Sequence, residues 1–88
     1  MRLLIFMELK YIVTDKDNFA IFSPNTEHKN LSQGLYGKPI GAGFCTIRPK
    51  ADSEDINVHC YGQSLSLHIS SREEDETIIN YALNPKKD

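Results

Sequence analysis

Cys45, His59, Cys60 and His68 are the residue types in this chain best suited to chemistry. They fit a zinc site, or a thiol nucleophile served by an imidazole base. The spacing works against the metal. His59 and Cys60 are adjacent, and adjacent side chains of a strand point to opposite faces. His59 and His68 then form a pair on an outer face, which is half of a structural zinc site. Asp15, Asp17 and Asn18 begin like a calcium loop, but the glycine and the late glutamate of such a loop do not follow. For catalysis, a cysteine facing the core is inert, and the carboxylates gather in a loop and at a helix start. No nucleophile elbow and no paired-acid motif occurs. The expectation is a non-enzyme with no metal and no cofactor.

The second chemical candidate is the run from Gly34 to Gly43. Exposed amides in such a run can cradle an anion. Gly37-Lys38 is followed by Pro39 rather than by Ser or Thr, so it is not a P-loop, and no G-x-G-x-x-G is present. Two readings stand side by side. The glycines serve a bulge or close packing, or they form a ligand-contacting loop through Tyr36, Gly37, Lys38, Gly41 and Gly43.

The elements that must hold these residues follow from periodicity. Leu9, Tyr11 and Val13 alternate with polar neighbours, giving a strand with one buried face and Ile12 as its imperfect position. Asp15 to Asn18 is a turn cluster, and Phe19 to Phe22 resumes the apolar run, so 10–22 reads as a β-hairpin. Ser23 to Thr26 breaks the sheet, and a short helix is expected over 27–33, ended by Gly34. Phe44 to Ile47 is apolar on both faces, as a central strand is. A polar loop covers 49–55.

Ile56 to Tyr61 and Ser64 to Ile69 flank Gly62-Gln63, which suits a two-residue type II′ turn. That turn would place Cys60 opposite Leu65, Val58 opposite Leu67 and Ile56 opposite Ile69 on the buried face. The outer face would pair Tyr61 with Ser64, His59 with Ser66, and Asn57 with His68. Those six outer residues make a second candidate recognition surface, with rings to stack and hydroxyls and amides to hydrogen-bond. A final helix begins near Ser71, with capping-box spacing to Glu74 and acids through Glu76. Its apolar stripe is Ile78, Ile79, Ala82 and Leu83. Asn84-Pro85 stops it, before Lys86 and Lys87.

The 88 residues form a single domain, 40% hydrophobic and 25% charged. The expected fold class is α+β: an antiparallel sheet of about five strands, a C-terminal helix on one face and a short helix before the glycine-rich loop. A net charge of −2 disfavours nucleic acid and anionic membranes, which select clustered Lys and Arg. Lys29, Lys38, Arg48 and Lys50 remain as one local basic patch. Two cysteines are few for a small secreted domain, so the setting is read as cytoplasmic, with both thiols reduced. A disulfide would require the two strands to be neighbours with suitable geometry. The run from Met1 to Met7 is too short for a signal peptide or a span. It reads as an extension of the first strand or as a start-site extension ahead of Met7.

Three runs carry a resemblance: Gly37-Lys38-Pro39-Ile40-Gly41-Ala42-Gly43-Phe44, then Cys60-Tyr61-Gly62-Gln63-Ser64-Leu65-Ser66-Leu67, then Ser70-Ser71-Arg72-Glu73-Glu74-Asp75-Glu76-Thr77-Ile78-Ile79. Together they resemble short uncharacterised proteins of bacteria and their phages. Gly41 stands where those proteins have serine, and Glu73 where they have proline. The resemblance implies an accessory, mobile-element setting and transfers no site residues. Binding is therefore the expected function, to a host protein or another copy of the chain. The alternative is a small phosphate-containing, nucleotide-like ligand, with a second subunit completing the pocket. Nucleic-acid binding ranks below both.

Overall fold

Tyr11, Ile12, Val13 and Thr14 are consecutive and all fully buried, so the first strand is covered on both faces rather than one. It is β1 (Glu8–Thr14), and it pairs antiparallel with β2 (Phe19–Phe22) in the expected hairpin, Lys10 opposite Phe22 and Val13 opposite Phe19. Asp17 turns the corner with φ 56°. The computed structural model describes residues 8–50 and 55–84. The readings of Met1 to Met7 and of Pro85 to Lys87 fall outside those residues.

After β2 comes α1 (His28–Ser32), one residue shorter at each end than expected. Gln33 caps it in a right-handed conformation, and the Gly34 N–H returns to the Leu31 carbonyl. The chain then passes through a loop that holds Gly34 and Gly37 and enters β3 (Pro39–Pro49), where the rest of the glycine-rich stretch is strand rather than loop. Gly41 and Gly43 lie inside the strand, opposite Val13 and Tyr11 of β1. Each leaves out a side chain for a reason. A Cβ on Gly41 would sit 2.1 Å from Asp75 Oδ2, and one on Gly43 would sit 2.5 Å from the Tyr61 carbonyl.

The eleven residues of β3 give it room for two partners. On its far side runs β4 (Ile56–Tyr61), in continuous register from Phe44 opposite Tyr61 to Pro49 opposite Ile56. The main sheet is antiparallel in the order β2-β1-β3-β4. The segment 44–47 is central, as its two apolar faces implied.

This pairing overturns the expected 56–61 with 64–69 hairpin. Cys60 lies opposite Cys45 rather than Leu65, and Val58 opposite Ile47 rather than Leu67. None of the three outer pairs forms either. Gly62 does bend the chain (φ 79°), but it bends it out of the sheet. β5 (Gln63–Ser64) and β6 (Ile69–Ser70) form a separate two-stranded ribbon. Leu65 to His68 is its turn, with the Leu67 N–H donating to Ser64 Oγ at 3.2 Å and His68 at φ 57°. The Ser-Leu alternation over 64–67 mimics a strand but belongs to a turn. The fold is thus α+β, with six strands in two sheets among the described residues.

The chain closes with α2 (Glu73–Leu83). Its cap is shifted by one residue from the expected Ser71–Glu74 box. Arg72 is the N-cap, and its N–H donates to the Asp75 carboxylate at 2.9 Å. The expected apolar stripe is also narrower: Ile79 is buried and Ile78 half-buried, while Ala82 and Leu83 are exposed. The helix packs against β4 through polar groups as well. Asn80 Oδ1 accepts from Val58 N–H and its Nδ2 donates to the Val58 carbonyl. Asn84 repeats both bonds at Ile56. Four residues of helix rise about 6 Å and two residues of strand about 6.6 Å, so the asparagines keep step with the edge they cover.

Residues that are partners across strands share a face. Leu9, Tyr11, Val13, Cys45, Val58 and Cys60 line the face on which Ile79 packs. Lys10, Phe44, Thr46, Asn57, His59 and Tyr61 lie on the other.

A candidate binding cleft beside an aromatic row

Lys10, Phe44 and Tyr61 are neighbours in one row across β1, β3 and β4, and they floor a cleft of about 580 Å³. One wall is Glu27 and His28 at the start of α1; the other is the segment from Gly62 to Ser66. The walls are tied together where the Lys29 N–H donates to Ser66 Oγ at 3.2 Å. The lining is mostly apolar. Leu65 stands on the rim with 76% of its surface exposed.

The floor belongs to a continuous row of rings. His28 meets Phe22 and Phe44 edge-on, with centroids 5.4 and 6.2 Å away. Phe44 stacks on Tyr61 at 6.1 Å, and Tyr61 on His59 at 5.7 Å. Each ring is held from its own side. His28 Nε2 lies 2.8 Å from the Gly43 carbonyl; a carbonyl only accepts, so Nε2 carries the proton. Burial lowers the His28 pKa, against the pull of that hydrogen bond, and Lys10 lowers it further. The ring is therefore neutral, and Nδ1 is its acceptor. The Tyr61 hydroxyl donates to the Glu8 carboxylate. That bond, more than burial, pushes the Tyr61 phenol up to about 12. Lys10 Nζ donates to the Thr26 carbonyl at 2.9 Å, which fixes the ammonium at the cleft edge.

On the opposite face lies a buried polar cluster. Asp75 is fully buried. Its Oδ2 accepts from the Tyr11 hydroxyl at 2.6 Å and from the Arg72 N–H, and its Oδ1 accepts from Arg72 Nε and Nη2 at 2.9 and 2.6 Å. Burial and the Asp75 carboxylate both push the Tyr11 phenol far above its ordinary range. Burial raises the Cys45 thiol to about 11. Cys60 rises to about 12, through burial first and then through the neighbouring Cys45, Glu76 and Asp75; a hydrogen bond with Tyr11 offsets part of this. Both thiols are protonated at neutral pH.

The residues singled out from sequence fall in several places. Tyr61 and Ser66 line the cleft, and His59 and Asn57 continue its row along β4. Gly43 supports the cleft by its carbonyl alone. Gly41 lies on the other face, beneath Asp75. Tyr36, Gly37 and Lys38 are at the opposite end of β3. There the Thr14 hydroxyl donates to the Tyr36 carbonyl, and Lys38 exchanges hydrogen bonds with Asp15. Ser64 is buried at the end of β5, and His68 is exposed in the turn that follows. Of the glycine run, Pro39 to Gly43 is strand laddered to β1, while Gly34 and Gly37 lie in the loop before it. Lys10, Glu27, His28, Phe44, Gln63 and Leu65 escaped the sequence reading. Among the described residues, no three His, Cys, Asp or Glu side chains converge on a metal site. No helix among them is long and apolar enough to cross a membrane.

Comparison with known proteins finds no family model, no curated protein and no solved structure that matches this chain.

Proposed function

We propose that this chain is a non-enzymatic binding protein that takes an aromatic or long aliphatic side chain of a partner protein into the cleft. The observation that carries this reading is the exposure of Leu65 beside an apolar floor of Phe44 and Tyr61. Binding hot spots are apolar pockets with aromatic anchors inside a polar rim. Lys10, Glu27, Gln63 and Ser66 supply that rim. The non-enzymatic part rests on the polar groups. Both thiols are protonated, and the buried carboxylate is already saturated by Tyr11 and Arg72. The bacterial or phage accessory setting and a cytoplasmic location belong to the same proposal.

The test is selection of random displayed peptides on the wild-type protein and, in parallel, on Leu65→Asp. The expected result is a set of peptides sharing one apolar anchor that bind the wild type and not the variant, and that shift the Phe44 and Tyr61 resonances. Binders indifferent to Leu65→Asp would overturn the site.

A second reading is favoured by the stacking of Phe44, Tyr61 and His59, which presents ring faces to a planar small molecule such as a nucleobase. The cleft volume lies within the usual range for small-ligand sites. Thermal unfolding against nucleotides and nucleosides tests it. A ligand at 100 times its Kd stabilises by about 2.7 kcal/mol, and each kcal/mol moves the midpoint of a domain this size by roughly 4–8 °C.

A further inference from the structure

Cys45 and Cys60 are direct partners across β3 and β4, and both are buried on the same face. Their kind of pairing follows from bonds made elsewhere. The N–H and the carbonyl of an extended residue in an antiparallel ladder point to the same side. Val58 gives both to Asn80, and Ile56 gives both to Asn84. Those groups therefore point away from β3, and Val58–Ile47 is a non-hydrogen-bonded pair. The register runs on without a shift, so Cys60–Cys45, two residues along, has the same phase.

The other edge of the sheet gives the same answer. The Thr14 N–H donates to the Asn18 carbonyl, so Ile12 and Lys10 bond towards β2 and Leu9 towards β3. Leu9 is the partner of Cys45, so Cys45 spends its backbone groups on β1, away from Cys60. In a non-hydrogen-bonded pair the Cα atoms are about 4.5 Å apart and the side chains are at their closest. That separation lies inside the range a disulfide spans.

The geometry points to Cys45 and Cys60 as an oxidative modification site, a dithiol that closes to an intramolecular disulfide with a hydroperoxide as oxidant. Cys60 reacts first, because it keeps 7% exposure while Cys45 keeps none. The Cys60 thiol gives up its proton and the thiolate attacks one oxygen of hydrogen peroxide; the O–O bond breaks, Cys60 becomes a sulfenic acid, and the departing hydroxide takes up a proton in place of the one released, leaving as water. The Cys45 thiol gives up its proton and attacks the Cys60 sulfur. The S–O bond breaks, a second water leaves and the S–S bond forms. Two thiols and one peroxide thus yield one disulfide and two waters, with two electrons passing from sulfur to oxygen. Because the sulfenic acid meets a resolving thiol across the ladder, further oxidation is intercepted. The next pair along the ladder is Phe44 and Tyr61, so the bond would form directly behind the cleft floor.

The experiment treats the full chain with hydrogen peroxide and follows intact mass and free thiols over time. The expected product is a monomer lighter by two hydrogens. Both thiols disappear together, and the rate climbs with pH towards the thiolate range. Cys45→Ser is expected to stop at a Cys60 sulfenic acid that dimedone traps. Wild-type protein that gains oxygen atoms without the cross-link, or that couples into disulfide-linked dimers, overturns the proposal. The wild-type time course stands on its own if the variant does not fold.

Discussion

Asn80 meets Val58 as a neighbouring strand would: Oδ1 accepts from the Val58 N–H at 2.8 Å, and Nδ2 donates to the Val58 carbonyl at 2.9 Å. With Asn84 doing the same at Ile56, the edge of β4 is closed by a helix. An open edge is a template for another chain. Asn80→Ala leaves a backbone donor and acceptor without partners and is expected to cost about 1–3 kcal/mol, read by denaturant unfolding. The Asn80→Ala, Asn84→Ala double variant should also aggregate in a concentration-dependent way. A double variant as stable and monodisperse as the wild type would refute this role for α2.

Gly41 and Asp75 are expected to be coupled. A Cβ at Gly41 would sit 2.1 Å from Oδ2, so Gly41→Ala must displace a carboxylate bound to Tyr11 and Arg72. Breaking a buried ion pair costs about 3–5 kcal/mol, and Gly41→Ala should approach that range. With Asp75→Ala already in place the same change should be cheap, a coupling of at least about 1 kcal/mol. Equal costs in the two backgrounds would show that the carboxylate is not what excludes the methyl.

His28 sets an acid limit on stability. Its imidazole titrates near 6.5 in the unfolded chain and lower in the fold. Between those values the unfolded chain holds more protons, so stability rises with pH across the window and falls as pH drops below about 6.5. Above 6.5 the ring is neutral in both states and contributes no slope. Denaturant unfolding at pH 7.5 and 5.5 should show a larger acid loss for the wild type than for His28→Gln. Identical losses would assign the pH dependence to other groups.

Leu65 separates binding from folding. With most of its surface in water, Leu65→Asp should leave the unfolding free energy within about 0.5 kcal/mol of the wild type while abolishing capture of anchor peptides. A large loss of stability would mean that the ribbon turn is packed more firmly than its exposure indicates.

The first hairpin and the last helix were legible because their signals are local: alternation across 9–13, a turn cluster at 15–18, and acids opening an apolar run at 73–79. The partner of β4 was not legible. Gly62-Gln63 between two apolar runs is a strong short-range signal, and it outweighed the distant partner. The competing β3 was concealed because Gly41 and Gly43 look like loop residues until Asp75 and the Tyr61 carbonyl are placed against them. Within the cleft, Tyr61 and Ser66 stood out by type. Lys10, Phe44 and Leu65 join them only through the register of β1, β3 and β4 and the fold-back at Gly62. One signal was there to read: asparagine is a poor helix former, and here Asn80 inside α2 and Asn84 at its C-cap both serve the neighbouring edge.

The Tyr11–Asp75 hydrogen bond joins residues 64 positions apart, and that spacing sets an order of events during synthesis. When β1 to β4 have been made and α2 has not, Gly41 still faces an empty place above the sheet and the edge of β4 is uncovered. Both wait for the same eleven-residue helix, which is translated last of the described elements. Until α2 docks, the Tyr11 hydroxyl and the outer edge of β4 lack the partners it supplies.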